Sequence, residues 1–139
     1  MLECLIIGDS IAVGLAQHRP ECASFSKGGI NTWQYNKQYK SQNLTADTVI
    51  ISLGSNDHKH IKTLDELTKL RQRVQARQVY WILPQGNLKA SEVPIENIQA
   101  IVKQLATEHG DIVVPITRVQ KDNIHPSTAG YKDLKEKTQ

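Results

Sequence analysis

A chain of 139 residues fits a single domain, residues 1–139, since one hydrophobic core serves up to about 250 residues before chains split. Its 39% hydrophobic content suffices for a packed core and leaves little for lids or long insertions, so a site on it should be open. Lys and Arg number 17 against 14 Asp and Glu, a formal charge of +3 with the basic residues scattered, which points away from nucleic acid.

Residues 2–7 form an apolar run ended by Gly8, too short for a helix and rich in β-formers, which predicts a strand buried on both faces. Residues 11–18 read as a helix. Residues 23–26 are a weaker strand, closed by Gly28-Gly29, and the polar, aromatic-bearing segment 32–40 is a candidate helix. Residues 47–53 are the clearest strand. Leu64, Leu67, Leu70 and Val74 recur at helical spacing behind Thr63, which with Glu66 has the form of a capping box, and the helix is expected to run to about Arg77. Arg71, Arg73 and Arg77, with Lys62 and Lys69, read as its solvated face. Residues 78–83 make a fourth strand, stopped by Pro84 and Gly86. Ile95, Ile98, Ile101, Val102 and Leu105 give another amphipathic helix, with Pro94 suited to its start and Gly110 to its end. Residues 112–116 are a fifth strand, which accepts Pro115 where its missing N–H faces no ladder partner, and the charged residues 132–139 continue a final helix or fray.

Strand and helix thus alternate about five times, which calls for a doubly wound α/β fold: a parallel sheet covered on both faces. Cys4 and Cys22 fall in the apolar stretches of the first two strands and read as buried free thiols, there being no Cys-x-x-Cys spacing. The chain enters its first strand with no signal peptide ahead of it, so cytoplasmic synthesis is expected, with later release or carriage on a phage particle left open. No apolar run approaches the roughly 18 residues of a membrane span, and no membrane partner is expected.

In an open parallel sheet the loops after the strands gather along one edge, where ligands bind. Gly8-Asp9-Ser10 follows the first strand, Gly28-Gly29 the second, Gly54-Ser55-Asn56-Asp57 the third, and Asp122-Asn123-Ile124-His125 the fifth. Ser10, at a helix start, is the candidate nucleophile; alone it would be an ordinary N-cap serine, and the other motifs reverse that reading. His125 is the candidate base, and Asp122, three residues before it, is placed to hold its ring from Nδ1. Candidate donors to an oxyanion are the Ser10 N–H, an N–H at Gly29 or Gly28, and the Asn56 side-chain amide. Asp9, Trp33, Gln85 and Asn87 are candidate substrate contacts: Trp33, with Tyr35 and Tyr39, could stack on sugar rings, although aromatics at this spacing as often pack a helix on the sheet, and Gln85, Gly86 and Asn87 offer polar contacts on the rim after the fourth strand. Asp57, His58 and His60 offer a rival metal reading, but two histidines two apart without a cysteine do not match common zinc spacings. His18 and His109 sit near helix ends, where exposure or dipole complementation explains them.

Carried by these four motifs, the chain resembles the SGNH hydrolases, also called the GDSL-type esterase and lipase superfamily, over nearly its whole length. The resemblance implies a flavodoxin-like three-layer α/β/α sandwich with about five parallel strands, Ser10, Asp122 and His125 as catalytic triad, and Ser10, Gly29 and Asn56 as oxyanion hole. It implies no metal or organic cofactor. The chain ends about fourteen residues after His125, so the closing helix is expected to be abbreviated. The activity expected is hydrolysis of small-acyl esters, acetyl on a carbohydrate above all, because so short a chain has little with which to line a long acyl tunnel. A thioesterase or lysophospholipase of the same superfamily and a non-catalytic carbohydrate-binding scaffold are the alternatives, and the oligomeric state is left open.

Overall fold

The computed structural model describes residues 2–87 and 91–139. Five strands alternate with five helices: β1 (Leu2–Gly8), α1 (Ser10–His18), β2 (Ala23–Ser26), α2 (Thr32–Gln38), β3 (Ala46–Ser52), α3 (Thr63–Arg73), β4 (Gln78–Leu83), α4 (Ile95–His109), β5 (Ile112–Pro115) and α5 (Thr128–Lys137). All strand pairs are parallel, in the order β2-β1-β3-β4-β5. This is the flavodoxin-like winding, whose strand order reverses between β1 and β3 and opens a crevice beyond their carboxyl ends.

Alternate residues of the central strands feed two separate cores. Leu5, Ile7, Val49, Ile51 and Trp81 face Tyr35 of α2, Leu67 and Leu70 of α3, and Val102 and Leu105 of α4. Ile6, Ile50, Ile82 and Val114 face Ile11 and Leu15 of α1 and Leu134 of α5. Burial on both faces is why β1 and β3 read as unbroken apolar runs. Pro115 is accommodated because β5 is an edge strand, paired with β4 alone.

Several local expectations are corrected. Thr63 is not the cap of α3: the N-cap is Lys62, which makes no side-chain cap bond, while Thr63 Oγ1 donates to Asp57 and Glu66 Oε1 accepts from Asn36 Nδ2. A reciprocal capping box forms instead at α2, between Asn31 and Gln34. Helix α3 stops at Arg73, and its arginines do not make a solvated face. Arg71 grips Asp111 with two hydrogen bonds of 2.8 and 3.0 Å, and Arg73 donates to the Tyr39 and Gln42 carbonyls. The closing helix, expected to be short, is well anchored. It runs ten residues from a Ser127 cap, and its Tyr131 ring lies so close to Gly14 that a Cβ there would stand 2.3 Å from it. No helix among the described residues is long and apolar enough to cross a membrane.

The cysteines are also corrected: Cys4 and Cys22 form a disulfide. Cys22 lies just outside β2, in the turn before it, and the parallel register that sets Leu5 beside Ala23 brings the two cysteines together one residue earlier, with Cα atoms 4.8 Å apart. That neighbourhood is created by strand pairing across an intervening helix, which cysteine spacing does not encode. We expect no titratable thiol in the denatured, unreduced chain, and two after reduction. Reduction should lower the unfolding free energy by about 3 kcal/mol, measured by urea denaturation with and without reductant, as for closure of a loop of this length.

Candidate active site

The first motif is shaped by one close approach. β1 ends at Gly8 with φ +142°, and a Cβ there would sit 1.8 Å from the Ser52 carbonyl oxygen of β3, so only glycine fits. Asp9 N–H then donates to that carbonyl at 2.9 Å, turning the chain off the sheet. The Asp9 carboxylate points inward, accepts from Ile11 N at 3.0 Å as the N-cap of α1, and takes the Ser52 hydroxyl at 3.3 Å. Asp9 is 0% exposed, so its expected role as a substrate contact is corrected: it builds the turn that presents Ser10. Desolvation raises its pKa to about 7, against the lowering by the Ile11 N–H and the Ser52 hydroxyl.

Ser10 opens α1 and is only partly buried, with Oγ 2.8 Å from His125 Nε2. His125 comes from the far end of the sheet. The segment after β5 crosses back over the carboxyl edge as a small hairpin, closed by an antiparallel bridge between Val119 and Pro126 and by Gln120 N–H donating to the His125 carbonyl at 2.8 Å. Asn123 sits in the left-handed region at φ 61° at its tip, a conformation asparagine tolerates better than most residues. Asp122 Oδ1 accepts the backbone N–H groups of Ile124 and His125 at 2.9 and 3.0 Å, and Oδ2 lies 2.6 Å from His125 Nδ1. These bonds, the Ile124 N–H foremost, hold the Asp122 pKa down at about 2, so the carboxylate faces the imidazole as an anion.

Gly28 and Gly29 are the central residues of a turn from Lys27 to Ile30, with Gly29 at φ 76°. Gly28 is the nearer to the serine: a Cβ on it would meet only Ser10 Cβ, at 3.8 Å. Asn56 Nδ2 donates to the Ile30 carbonyl at 3.1 Å, which ties the third motif to this turn and leaves the amide a second hydrogen. Behind it Asp57, 1% exposed, accepts from Thr32 N at 2.9 Å and from the Thr32 and Thr63 hydroxyls at 2.6 Å each. Asp57 therefore joins the starts of α2 and α3 beneath Asn56 and is not grouped with His58 and His60 as a metal ligand set. The sequence reading missed this role, although Asp57 within a motif facing two helix-start threonines is the signal that carries it. His18 and His109 each set Nδ1 against a carbonyl four residues back in their own helices, at 3.1 and 2.9 Å, in keeping with their helix-end reading.

The remaining candidate contacts flank this centre. Trp33 is 47% exposed and, with Asn31, Gln34, His58, His60 and Lys62, borders a groove of about 520 Å³. On the opposite side, the loop of Gln85 and Gly86 abuts the Asp122–His125 turn, since a Cβ on Gly86 would lie 2.2 Å from the Asn123 carbonyl oxygen. Gln85 is partly exposed there. Asn87 is exposed, and its Oδ1 is engaged by the Ile95 N–H of α4 at 2.7 Å, so it serves first as a helix cap.

A hydroxyl, an imidazole and a carboxylate in hydrogen-bonded series can activate the hydroxyl as a nucleophile, and neighbouring amide donors can receive an oxyanion. Two outcomes follow from the packing around this series. Gly86→Ala must displace the Asn123 carbonyl and adopt a strained positive φ, so turnover should fall at least about tenfold through misplacement of His125 and the melting temperature should drop with it. For Asp9, a folded-state pKa above the unfolded value means the native state holds the extra proton. Unfolding free energy should therefore decline as pH rises from about 4 to about 7, by up to about 1.4 kcal/mol per pH unit, and Asp9→Asn should flatten that decline in urea titrations.

The family model of the GDSL-like Lipase/Acylhydrolase family matches residues 6–132. No curated protein matches the sequence. Among solved structures, the chain is similar to a GDSL-like lipase from Bacteroides thetaiotaomicron VPI-5482, with TM-score 0.72 at 15% identity, covering 97% of this chain and 84% of that one. It is similar to the lipase/acylhydrolase from Enterococcus faecalis, with TM-score 0.71 at 19% identity over 96% and 92% of the two chains. A Corynascus thermopiles carbohydrate esterase family 2 enzyme with its carbohydrate binding domain aligns with TM-score 0.66 at 14% identity, over 96% of this chain and 63% of that one. At these identities the structures speak for the three-layer α/β fold, and the family match speaks for the chemistry: the chain belongs to the GDSL-like lipase/acylhydrolase family and is a serine hydrolase.

Proposed function

We propose that the protein hydrolyses small-acyl esters, acetyl above all, on a carbohydrate, through an acyl-enzyme on Ser10. The observation that carries this reading is the unbroken series from Ser10 Oγ to His125 Nε2 and from His125 Nδ1 to Asp122. His125 takes the Ser10 proton as Oγ attacks the ester carbonyl carbon. The resulting imidazolium is stabilised by an Asp122 carboxylate that its backbone donors keep ionised. His125 then gives the proton to the departing alcohol oxygen. A water, deprotonated in turn by His125, attacks the acyl-enzyme and releases the acid and free Ser10.

Negative charge on the carbonyl oxygen during both steps is met by the Ser10 N–H, which as the first of α1 has no intrahelical acceptor, by the N–H of Gly29 or of Gly28 in the same turn, and by the second hydrogen of Asn56 Nδ2. The tether from Asn56 to the Ile30 carbonyl fixes the amide before substrate arrives, which is what makes such a donor effective in the transition state.

Preference for a short acyl group and a polar alcohol is supported by the grooves beside the turn. The smaller, of about 240 Å³, is bordered by Lys27, Gly28, Gly29, Gln34 and Gln38, a mainly polar lining that suits hydroxyl-rich ligands better than an alkyl chain, and the larger adds the indole of Trp33 beside His58 and Lys62. The carbohydrate esterase among the structural neighbours is in keeping with a sugar alcohol.

On p-nitrophenyl acetate, Ser10→Ala should lower kcat at least about a thousandfold, and Asn56→Ala about a hundred- to a thousandfold with KM little changed. Turnover should fall from acetyl to longer acyl chains. Turnover that rises with chain length would favour a thioesterase or lysophospholipase, and saturable sugar binding without serine-dependent turnover would favour a non-catalytic scaffold.

A further inference from the structure

Trp33 is the most exposed aromatic side chain among the described large hydrophobics, and it stands as a wall between two grooves. On one side lies the groove of about 520 Å³ with His58, His60 and Lys62, two to six residues beyond Asn56 in the chain. On the other lies a groove of about 490 Å³ with Lys37, Lys40 and Lys69. The Lys37 ammonium sits 4.6 Å from the centroid of the indole itself.

The charge balance around this ring is one-sided. Four lysines border the two grooves, against a single carboxylate, that of Glu66, which borders both. Glu66 is already engaged: Oε1 accepts from Asn36 Nδ2 at 2.9 Å and Oε2 lies 3.9 Å from the Lys69 ammonium. Asp57 is buried under its threonines, the exposed Asp65 borders neither groove but a neighbouring one with Lys69, and Lys59 is paired with Glu92 at 2.6 Å. Arg71 and Arg73 of the adjoining helix add nothing to the patch, since they are engaged by Asp111 and by two carbonyls. Lysines thus outnumber carboxylates four to one along the two grooves that flank the indole.

An indole face stacks on the apolar face of a pyranose ring, while ammonium groups on both sides of it attract anions on that ring or its neighbours. A neutral glycan would use the ring and leave the lysines idle. We infer that the alcohol portion of the substrate is an O-acetylated glycan bearing negative charges, the ester-carrying sugar unit lying against Trp33 and its anionic groups meeting Lys37 and Lys62. This inference rests on the esterase reading above and narrows it to acidic glycans. The lysines act by attraction and orientation, so their effect falls on KM and on association and not on the bond-breaking steps.

Two arms test it. The first compares kcat/KM on acetylated oligogalacturonate, an acetylated sulfated galactan oligosaccharide and acetylated xylo-oligosaccharide of equal length, at 20 mM and 500 mM NaCl. Both anionic substrates, or the one whose acid type the grooves accept, should be favoured about tenfold over the neutral one at low salt, and the preference should shrink at high salt as screening shortens. Lys62→Gln with Lys37→Gln should narrow the ratio of acidic to neutral substrates several-fold through KM. The second arm titrates Ser10→Ala with the deacetylated oligosaccharides and follows tryptophan fluorescence. Trp81, the other tryptophan, is 1% exposed and donates to Asp111 within the core, so a change on binding reports Trp33 and should vanish in Trp33→Phe. Equal kcat/KM for acidic and neutral esters, with equal affinity in the fluorescence titration, overturns this inference and leaves the esterase standing. Absence of serine-dependent turnover overturns the esterase reading, and selective binding of the acidic oligosaccharides would then still assign the grooves.

Discussion

The whole site depends on how closely β1 and β3 run together at their carboxyl ends. Where Gly8 meets the Ser52 carbonyl there is no room for even a methyl group, and the peptide that follows is fastened to the same carbonyl by the Asp9 N–H. This contact lies at the point where the strand order reverses, so the chain leaves β1 toward one face of the sheet and β3 toward the other. The Ser10 turn and the Asn56 loop are consequently neighbours at the mouth of one crevice. A bulkier residue at position 8 would separate them before the Ser10 or Asn56 side chain was touched.

Three aspartates within the motifs show how environment divides labour among identical side chains. Asp9 and Asp57 are buried, and burial raises the pKa of both; each is used to hold backbone and hydroxyl donors in place. Asp122 is largely exposed, and what keeps it anionic is a pair of backbone N–H groups in its own turn together with the imidazole. Desolvation would favour the neutral acid and weaken its pairing with a charged imidazolium, so an exposed carboxylate held by fixed donors suits the His125 ring better.

The basic residues divide in a comparable way. Asp111, at the head of β5, accepts both Arg71 and the indole N–H of Trp81, so a helix, a central strand and an edge strand share one buried carboxylate. Arg71 and Asp111 side chains are only 13% and 4% exposed, and such a pair is kept by its geometry more than by net attraction. Lysines, by contrast, remain at the surface around Trp33, where a hydrated point charge on a flexible stem costs little to keep free and can follow a ligand. The assignment of arginine to the framework and lysine to the grooves is what leaves a positive field beside the active centre.

Hydrophobic patterning alone determined the strand and helix alternation, because each central strand must be apolar on both faces and each helix on one. The motif residues Ser10, Asn56, Asp122 and His125 were legible for a related reason: loops after parallel strands share one edge, so order along the chain already implies proximity in space. What the chain order did not carry was contact between side chains that leave the backbone in unexpected directions. Asp9 turns inward as a cap, Thr63 turns to Asp57, Arg71 reaches Asp111, and Asn87 caps α4, each chosen by which donor or acceptor lay within about 3 Å after packing. The Cys4–Cys22 bond belongs to the same class, since an 18-residue separation becomes a 4.8 Å Cα distance only once β2 has paired with β1. Periodicity records which surface of an element is buried; it holds no record of which residue on another element it meets, and that was left to the tertiary structure.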